Sequence, residues 1–133
     1  MRDRRLWING EIAGLKRDGS AVTDEGLTAA RYIETLPGGR THPILKLNGY
    51  SSVENTPEVV VPADHLFVMG DNRDNSADSR IPVARGGVGL LPVADLIGRV
   101  ESIVVSWDLK TKGQPVWTSP SGLRIARFFT AIQ

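Results

Sequence analysis

Apolar residues along this chain occur in short runs separated by turn-forming residues, a pattern that predicts β structure. Residues 6–8 and 12–15 flank Asn9-Gly10, a dipeptide suited to a tight hairpin because both of its positions tolerate positive φ. Asp18-Gly19 predicts a further turn. We therefore expect the chain to open with a β-hairpin.

A second strand pair is predicted downstream of this hairpin. Residues 27–36 alternate imperfectly between apolar and polar, and their aromatic and β-branched residues are typical of a half-exposed strand. The Pro-Gly-Gly sequence at 37–39 is expected to end this strand, and residues 41–47 to form its partner. Residues 48–58 then predict a turn at Asn48-Gly49 and a polar connector.

The most unusual stretch is the change from apolar to polar residues at Gly70. Residues 59–61 and 66–69 are short, apolar and bounded by turn formers, so we expect both to be buried strand. The ten residues after Gly70 are mostly Asp, Asn, Ser and Arg. Because Asp, Asn and Ser bond to neighbouring backbone in preference to a strand ladder, these residues predict a tightly hydrogen-bonded turn.

The last part of the chain is expected to return to the sheet and end in a helix. Residues 81–91 contain three glycines and predict an irregular loop, and residues 92–96 predict one helical turn with Asp95 as a local cap. Residues 99–107 alternate and then become fully apolar, which predicts a core strand. Residues 123–132 predict a short terminal helix with two arginines opposite its apolar residues.

Length and composition indicate one mainly β globular domain over residues 1–133, with 41% hydrophobic residues. Sixteen basic against fifteen acidic residues, with no cationic block, give no electrostatic signature of a nucleic-acid partner. The absence of cysteine excludes disulfides and thiolate metal sites. Every apolar run is far shorter than the roughly 20 residues that span a membrane, so we expect a soluble chain.

A metal site is not predicted. The alternate residues Asp71, Arg73 and Asn75 are similar to a calcium loop, but Ser76 and Pro82 occupy the positions that need glycine and glutamate. The two histidines have no carboxylate at ligand spacing, so neither a zinc site nor a histidine-based triad is indicated. No cofactor is expected.

Ion pairing within the polar turn is predicted instead. Three aspartates alternate with two arginines between residues 71 and 80, and a guanidinium binds a carboxylate through two parallel hydrogen bonds. Such pairs lock a loop. On composition alone, the alternative is a solvated, self-paired turn without chemistry.

Residues 70–80, Gly-Asp-Asn-Arg-Asp-Asn-Ser-Ala-Asp-Ser-Arg, resemble the most C-terminal signature sequence of bacterial type I signal peptidases. These are membrane-anchored serine endopeptidases that remove signal peptides from exported proteins. Further matches lie at residues 6–11, 31–39, 61–62, 67–69, 87–89, 92 and 96–99. The resemblance thus covers nearly the whole chain, with about 15–60 as a hairpin-rich insertion and 61–107 as the core that contains the turn.

The resemblance implies a mainly β fold of antiparallel sheets and a serine nucleophile activated by a neutral lysine. A lysine accepts a proton only when an apolar pocket disfavours its ammonium form. By motif, Ser76 would hydrogen-bond the lysine amine and orient it, and Gly70 would permit the sharp exit from the strand. The remaining supporting residues are the charged groups that hold the turn, Asp71, Arg73, Asp78 and Arg80, and the apolar wall, Val68 and Ala77.

The chain departs from the family where the reacting groups are expected. None of its nine serines occurs in the family's nucleophile sequence, and Lys16-Arg17 shares only the first pair of the lysine sequence. We therefore expect a chain truncated at its N-terminus, with the nucleophile, the base and the membrane anchor upstream of Met1. Such a chain is predicted to be catalytically incomplete alone.

The implied parent enzyme lies in the bacterial inner membrane, has its catalytic domain on the extracytoplasmic side, and acts on preproteins with signal peptides. Uncovered strand edges predict self-association of this chain or partial disorder near residues 1–20. The alternative function is a non-catalytic homologue that binds extended peptides by strand addition.

Overall fold

The computed structural model describes residues 1–23, 25–47, 49, 53–106 and 122–131. The chain forms two compact units, Met1–Leu96 and Ile97–Gln133. Its described strands pair in antiparallel sheets. The helices with described bounds are three-residue 3-10 turns, at Val83–Arg85, Val93–Asp95 and Ile125–Arg127. The expected mainly β fold class is confirmed.

The predicted opening hairpin is confirmed. Strands β1 (Trp7–Ile8) and β2 (Glu11–Ile12) pair in antiparallel register. Asn9 and Gly10 connect them with φ values of 51° and 81°. Both residues thus adopt the positive φ that makes this dipeptide suited to a two-residue turn.

A three-stranded antiparallel sheet follows, with the order β3 (Gly14–Val22), β4 (Thr28–Thr35), β5 (Thr41–Leu47). The last two strands and the turn at 37–39 confirm the predicted pair; within that turn the Gly39 N–H donates to the Leu36 carbonyl at 2.9 Å.

The predicted turn at Asp18-Gly19 is wrong, because both residues lie inside β3. The register between β3 and β4 shifts between Arg17 and Ser20. Gly19 has a φ of 94°, which lets the strand absorb the extra residues as an irregularity instead of reversing direction.

One face of this sheet is buried although it carries a charge. Cross-strand pairs place Glu34 opposite His42 and Tyr32 opposite Ile44, and residues at alternate positions share a face. Glu34 and Ile44 are each 1% exposed. A carboxylate in the most buried class of positions requires a partner, because an unpaired buried charge is costly.

The segment that leads to the polar turn contains little regular strand. Strand β6 (His65–Leu66) pairs with β7 (Leu91–Pro92), and residues 67–69 continue as half-buried chain without strand pairing. The predicted buried strand at 59–61 is wrong: these three valines are 42–83% exposed. Pro57 and Pro62 bracket them and lack the N–H that a strand ladder needs.

The loop predicted at 81–91 is confirmed and contains the turn Val83–Arg85. The helical turn predicted over 92–96 is also present, at Val93–Asp95. Asp95 does not cap it, since Pro92 holds the N-cap position and no side chain bonds there. Asp95 lies at the end of the turn, where a carboxylate cannot satisfy N-terminal N–H groups.

In the second unit, strands β8 (Ser102–Ile103) and β9 (Thr130–Ala131) pair in antiparallel register. Of the core strand predicted over 99–107, residues 102–103 form strand. The prediction is wrong for the other residues between 99 and 106, where Val100, Val104 and Val105 are 62–64% exposed. Trp107 lies outside the described residues, as does the Asn48 turn position. Within the described part of the chain, no helix is both long and apolar enough to cross a membrane.

The terminal helix predicted over 123–132 is wrong for residues 123–131. These residues form the 3-10 turn Ile125–Arg127 and then β9. Phe128 is extended, with φ −69° and ψ 138°, and Phe129 has a φ of 56°. A helix cannot continue through two such residues. Ile132 lies outside the described residues.

Candidate active-site turn

The polar turn, residues 70–80, is docked on the free edge of β5. The Leu45 N–H donates to the Asp71 carbonyl at 2.8 Å, and the Arg73 N–H donates to the Leu45 carbonyl at 3.0 Å. These two bonds form an isolated parallel bridge between Leu45 and Asn72. The start of the turn therefore extends the three-stranded sheet by one short segment.

Arg73 provides the partner that the buried Glu34 carboxylate needs. Its Nη1 donates to Glu34 Oε1 at 2.6 Å, and its Nη2 donates to Glu34 Oε2. The Arg73 side chain is 4% exposed. His42 Nε2 lies 3.2 Å from Glu34 Oε2 and 3.3 Å from Arg73 Nη2. This two-bond geometry joins the turn to β4 across β5, and such pairs are the stronger class of ion pair.

A second buried ion pair closes the turn on itself. Arg80 Nε donates to Asp78 Oδ1 at 2.8 Å, and Arg80 Nη2 donates to Asp78 Oδ2 at 2.7 Å. Arg80 Nη2 also donates to the Arg73 carbonyl at 2.6 Å. The Arg80 side chain is 0% exposed and that of Asp78 4%. The two ion pairs are thus connected through the Arg73 backbone.

The Asp78 carboxylate also binds backbone at both ends of the turn. It accepts the Gly70 N–H at 2.9 Å and the Arg80 N–H at 3.1 Å. Burial by itself would raise the pKa of Asp78, but the hydrogen bonds from the Arg80 side chain and from the two N–H groups outweigh burial and lower that pKa. Asp78 is therefore ionised at neutral pH.

Ser76 lies directly over Gly70. A β-carbon at residue 70 would be 2.3 Å from Ser76 Oγ and 2.6 Å from Ser76 Cβ. Gly70 is not among the residues with positive φ, so this close approach is what requires glycine here. Ser76 is half-buried, and its hydroxyl forms no hydrogen bond with any part of the chain that the structure describes. The hydroxyl therefore has a free capacity to donate or accept a hydrogen bond within the part of the chain that the structure describes.

The other expected supporting residues differ in what they contact. Val68 is half-buried and exchanges two hydrogen bonds with Ser79, from the Val68 N–H to Oγ at 2.9 Å and from the Ser79 N–H to the Val68 carbonyl at 3.1 Å. Ala77 is exposed, and its carbonyl accepts the Val88 N–H at 3.1 Å. Asp71 is exposed, and its carbonyl accepts the Leu45 N–H of β5.

A charged cluster beside the turn was not identified by the sequence. Asp74 Oδ2 accepts the Leu47 N–H at 2.8 Å and lies 3.3 Å from Arg4 Nη2. Arg4 Nη1 is also 2.5 Å from Glu54 Oε1. Lys46 Nζ donates to the Arg4 carbonyl at 2.7 Å. These contacts fasten the N-terminal loop and the connector to the turn.

The sequence also did not identify Glu34 as a site residue. One sequence feature could have indicated both Glu34 and this cluster. Glu34 and Lys46 are charged residues within predicted half-buried strands, where a charge needs a partner from another element. The sequence alone does not name that partner. Among the described residues, no three His, Asp or Glu side chains are grouped as metal ligands.

Comparison with known proteins matches residues 1–107 to the family "Signal peptidase, peptidase S26". Signal peptidase I of Pseudomonas aeruginosa is 33% identical over 110 residues, which are 80% of this chain and 38% of that protein. Signal peptidase I of Pseudomonas fluorescens is 36% identical over 110 residues, with 79% and 38% covered. Signal peptidase I of Rickettsia typhi is 31% identical over 117 residues, with 80% and 42% covered.

No solved structure matches this chain significantly. The chain spans 38–42% of the length of the three curated relatives. Over its own length the match is broad, since the family match includes the opening hairpin, the three-stranded sheet and the polar turn. The chain therefore belongs to the signal peptidase family, peptidase S26.

Proposed function

We propose that this chain supplies the supporting part of a signal peptidase active site, in which Ser76 orients the lysine that acts as general base. The observation that carries the proposal is the Ser76 hydroxyl. It is half-buried and has no hydrogen bond within the described residues, and the turn that presents it is held by two buried ion pairs.

The proposed chemistry is that of a serine and lysine dyad. The Ser76 oxygen accepts a hydrogen bond from the lysine amine, so that the amine lone pair faces the nucleophilic serine. The amine takes the serine proton as the serine oxygen attacks the scissile carbonyl, and the resulting ammonium gives that proton to the leaving amine as the peptide C–N bond breaks. The lysine, neutral again, then takes a proton from the water that hydrolyses the acyl intermediate and frees the serine. Val68 and Ala77 form apolar wall for the lysine, and the exposed Ala77 surface is covered when the lysine segment binds.

The ion pairs of the turn serve this geometry. A group that orients a catalytic base must be held within a fraction of an ångström, which buried, hydrogen-bonded neighbours achieve. Asp78 holds both ends of the turn through Gly70 and Arg80. Arg73 fixes the turn to the sheet. Ser76 itself needs no activation, since it is not the nucleophile.

We place the nucleophilic serine and the general-base lysine outside these 133 residues, because neither family sequence occurs among them. The chain alone is accordingly proposed to be inactive. The substrates of the complete enzyme are preproteins that carry signal peptides. Its proposed location is the bacterial inner membrane, with the active site on the extracytoplasmic side.

A chimaera tests the proposal. The part of Pseudomonas aeruginosa signal peptidase I that precedes its matched 110 residues is joined to Met1 of this chain, and cleavage of a preprotein is measured in detergent. The chimaera is expected to cleave the preprotein, and the chain alone is expected not to cleave it. Ser76→Ala is expected to lower kcat of the chimaera by about 100-fold, a typical contribution of a positioned acid–base group.

The matched control is Ser20→Ala, which alters an exposed serine on β3 and should leave kcat unchanged. Robust cleavage by the chain alone, abolished by substitution of one of its own serines, would refute the missing-dyad proposal. Equal kcat for the chimaera and its Ser76→Ala variant would refute the role of Ser76. Peptide binding by the chain alone, with an inactive chimaera, would favour the non-catalytic alternative.

Self-association is a separate part of the proposal. Strand β3 lies at the edge of the three-stranded sheet, and unpaired edges favour pairing with another chain. Sedimentation velocity across a range of protein concentrations is expected to show a concentration-dependent increase in mass. A strictly monomeric chain with protected amides over residues 1–20 would contradict this expectation.

A further inference from the structure

We propose that Glu34 is a positioning residue for the active-site turn, acting through Arg73. This inference rests on the proposed function, because it gives Glu34 a role in placing Ser76. Glu34 lies 42 positions before Ser76 in the sequence and outside the signature turn. No property of the turn's own sequence indicates that a strand residue holds it.

Glu34 is a rigid anchor point. It lies on β4, which is paired on both sides, opposite Leu15 of β3 and His42 of β5. Its side chain is 1% exposed. A central strand with a fully buried side chain has fewer accessible conformations than an edge strand or a loop. A group bound to this carboxylate is therefore held relative to the whole sheet.

Arg73 depends on Glu34 for its side-chain contacts. Both terminal nitrogens of the guanidinium donate to the Glu34 carboxylate. The buried Arg73 Nε has no hydrogen-bond partner within the described residues. The other polar contact of the guanidinium is His42 Nε2, at 3.3 Å. Without the Glu34 charge, a guanidinium that is 4% exposed would be left buried without a carboxylate.

A continuous set of contacts leads from Arg73 to Ser76. The Arg73 carbonyl accepts Arg80 Nη2, and Arg80 holds the Asp78 carboxylate. Asp78 Oδ2 accepts the Gly70 N–H, and Ser76 lies against the Gly70 α-carbon. The backbone bonds to Leu45 hold residues 71–73 at the edge of β5. The Glu34 pair adds a second attachment point, which restricts rotation of the turn about that edge.

Amide hydrogen exchange of the 133-residue chain, followed by NMR, tests this directly. Glu34→Gln keeps the size of the side chain and removes its charge. The exchange rates of the Gly70 and Ser79 N–H groups are expected to rise by about tenfold or more, because the turn opens locally. The amides of β3 and β4 are expected to stay within about twofold of the wild-type rates.

Two further variants make the result decisive. Glu25→Gln alters an exposed carboxylate that accepts a hydrogen bond from Asn75 in the same turn, and it should leave all these rates unchanged. Glu34→Gln combined with Arg73→Met removes both buried charges, so it folds even where the unpaired guanidinium would prevent folding. Gly70 exchange is expected to remain fast in this double variant, because the attachment is still missing.

Three outcomes would overturn the inference: unchanged Gly70 exchange in Glu34→Gln, equal acceleration of every amide, or restored Gly70 protection in the double variant.

In the chimaera, Glu34→Gln is expected to lower kcat by about tenfold with KM within about twofold, the pattern of a group that acts on the reaction step. Amide exchange measures how firmly the turn is held and does not require an active enzyme. A loosened turn in Glu34→Gln together with a fully active Ser76→Ala chimaera would refute the proposed function. The conclusion that Glu34 attaches the turn to the sheet would still hold.

Discussion

The α-carbon of Gly70 lies against the side chain of Ser76, so closely that a β-carbon at residue 70 would be 2.3 Å from the Ser76 hydroxyl oxygen. Non-bonded carbon and oxygen atoms do not approach to this distance without displacement. The position of the Ser76 hydroxyl therefore depends on the absence of a side chain at residue 70. The two residues form one steric unit within the turn.

Gly70→Ala is expected to destabilise the chain by about 1–3 kcal/mol, the usual cost of forcing an extra methyl into a packed site. The double variant Gly70→Ala, Ser76→Gly removes the two clashing atoms and should recover most of that loss. Urea unfolding measures both. Gly98→Ala is the control, since nothing lies within 4 Å of its added carbon. A Gly70→Ala variant as stable as the wild type would contradict the close contact.

Gly87→Ala is expected to be more destabilising than Gly70→Ala. A β-carbon at residue 87 would lie 2.0 Å from the Ile81 carbonyl oxygen and 2.5 Å from the Ile81 carbonyl carbon. These are backbone atoms, which cannot rotate away as a serine side chain can, so we expect a loss above about 3 kcal/mol in the same urea assay. A smaller loss than that of Gly70→Ala would show that the 81–91 loop adjusts easily.

Local features of the fold were predictable because short sequences determine them. The Asn9-Gly10 hairpin and the Pro-Gly-Gly turn after β4 depend on backbone preferences of the residues themselves. Hydrophobicity alone misled elsewhere. The valines at 59–61 and the apolar residues at 99–106 predicted buried strands, but burial requires a partner element, and these residues are largely exposed. Composition does not reveal whether such a partner exists.

The ion pairs of the site show the same limit. Asp78 and Arg80 are two residues apart, and their pairing was within the predicted set. The sequence predicted that Arg73 and Asp74 each find a partner within the turn. Arg73 instead binds Glu34, and Asp74 lies beside Arg4. Those partners are 39 and 70 residues away. Only the folded sheet brings them together, so no local pattern identifies them.

Asp78→Asn is expected to destabilise the chain by about 3–5 kcal/mol at neutral pH, because it leaves the buried Arg80 guanidinium without its carboxylate. The pKa of Asp78 is lowered in the folded state from its ordinary 3.8. Its stabilising contribution is therefore fully present above pH 3.8 and is lost as the pH falls through the folded-state pKa. The stability difference between wild type and variant should be constant from pH 7 to about 5.

Urea unfolding between pH 7 and pH 2 measures this difference. Below pH 3.8 the gap between wild type and Asp78→Asn is expected to narrow, because the Asp78 carboxyl of the unfolded wild-type chain binds a proton while that of the folded chain is still ionised. Asp95→Asn, at an exposed position, serves as the control and should show a small difference at every pH. A gap that stays constant down to pH 2 would show that folding does not lower the pKa of Asp78.

Lys46 is expected to make the free energy of unfolding depend on pH in the alkaline range. Burial lowers the pKa of Lys46 from 10.5, and the nearby Asp74 and Glu54 carboxylates oppose this only in part. Between its folded-state pKa and 10.5, the unfolded chain binds more protons at this residue than the folded chain does. The contribution of Lys46 to the free energy of unfolding therefore rises with pH in that window, by at most about 1.4 kcal/mol per pH unit.

Lys46→Met removes the charge and keeps a side chain of similar length. The free energy of unfolding of the wild type, minus that of Lys46→Met, is expected to increase as the pH approaches 10.5 from neutral. Lys16→Met, at an exposed position on β3, is the matched control and should show no such increase. A difference that falls with pH would mean that the Asp74 and Glu54 carboxylates outweigh burial, so that the cluster stabilises the ammonium form instead of tolerating it.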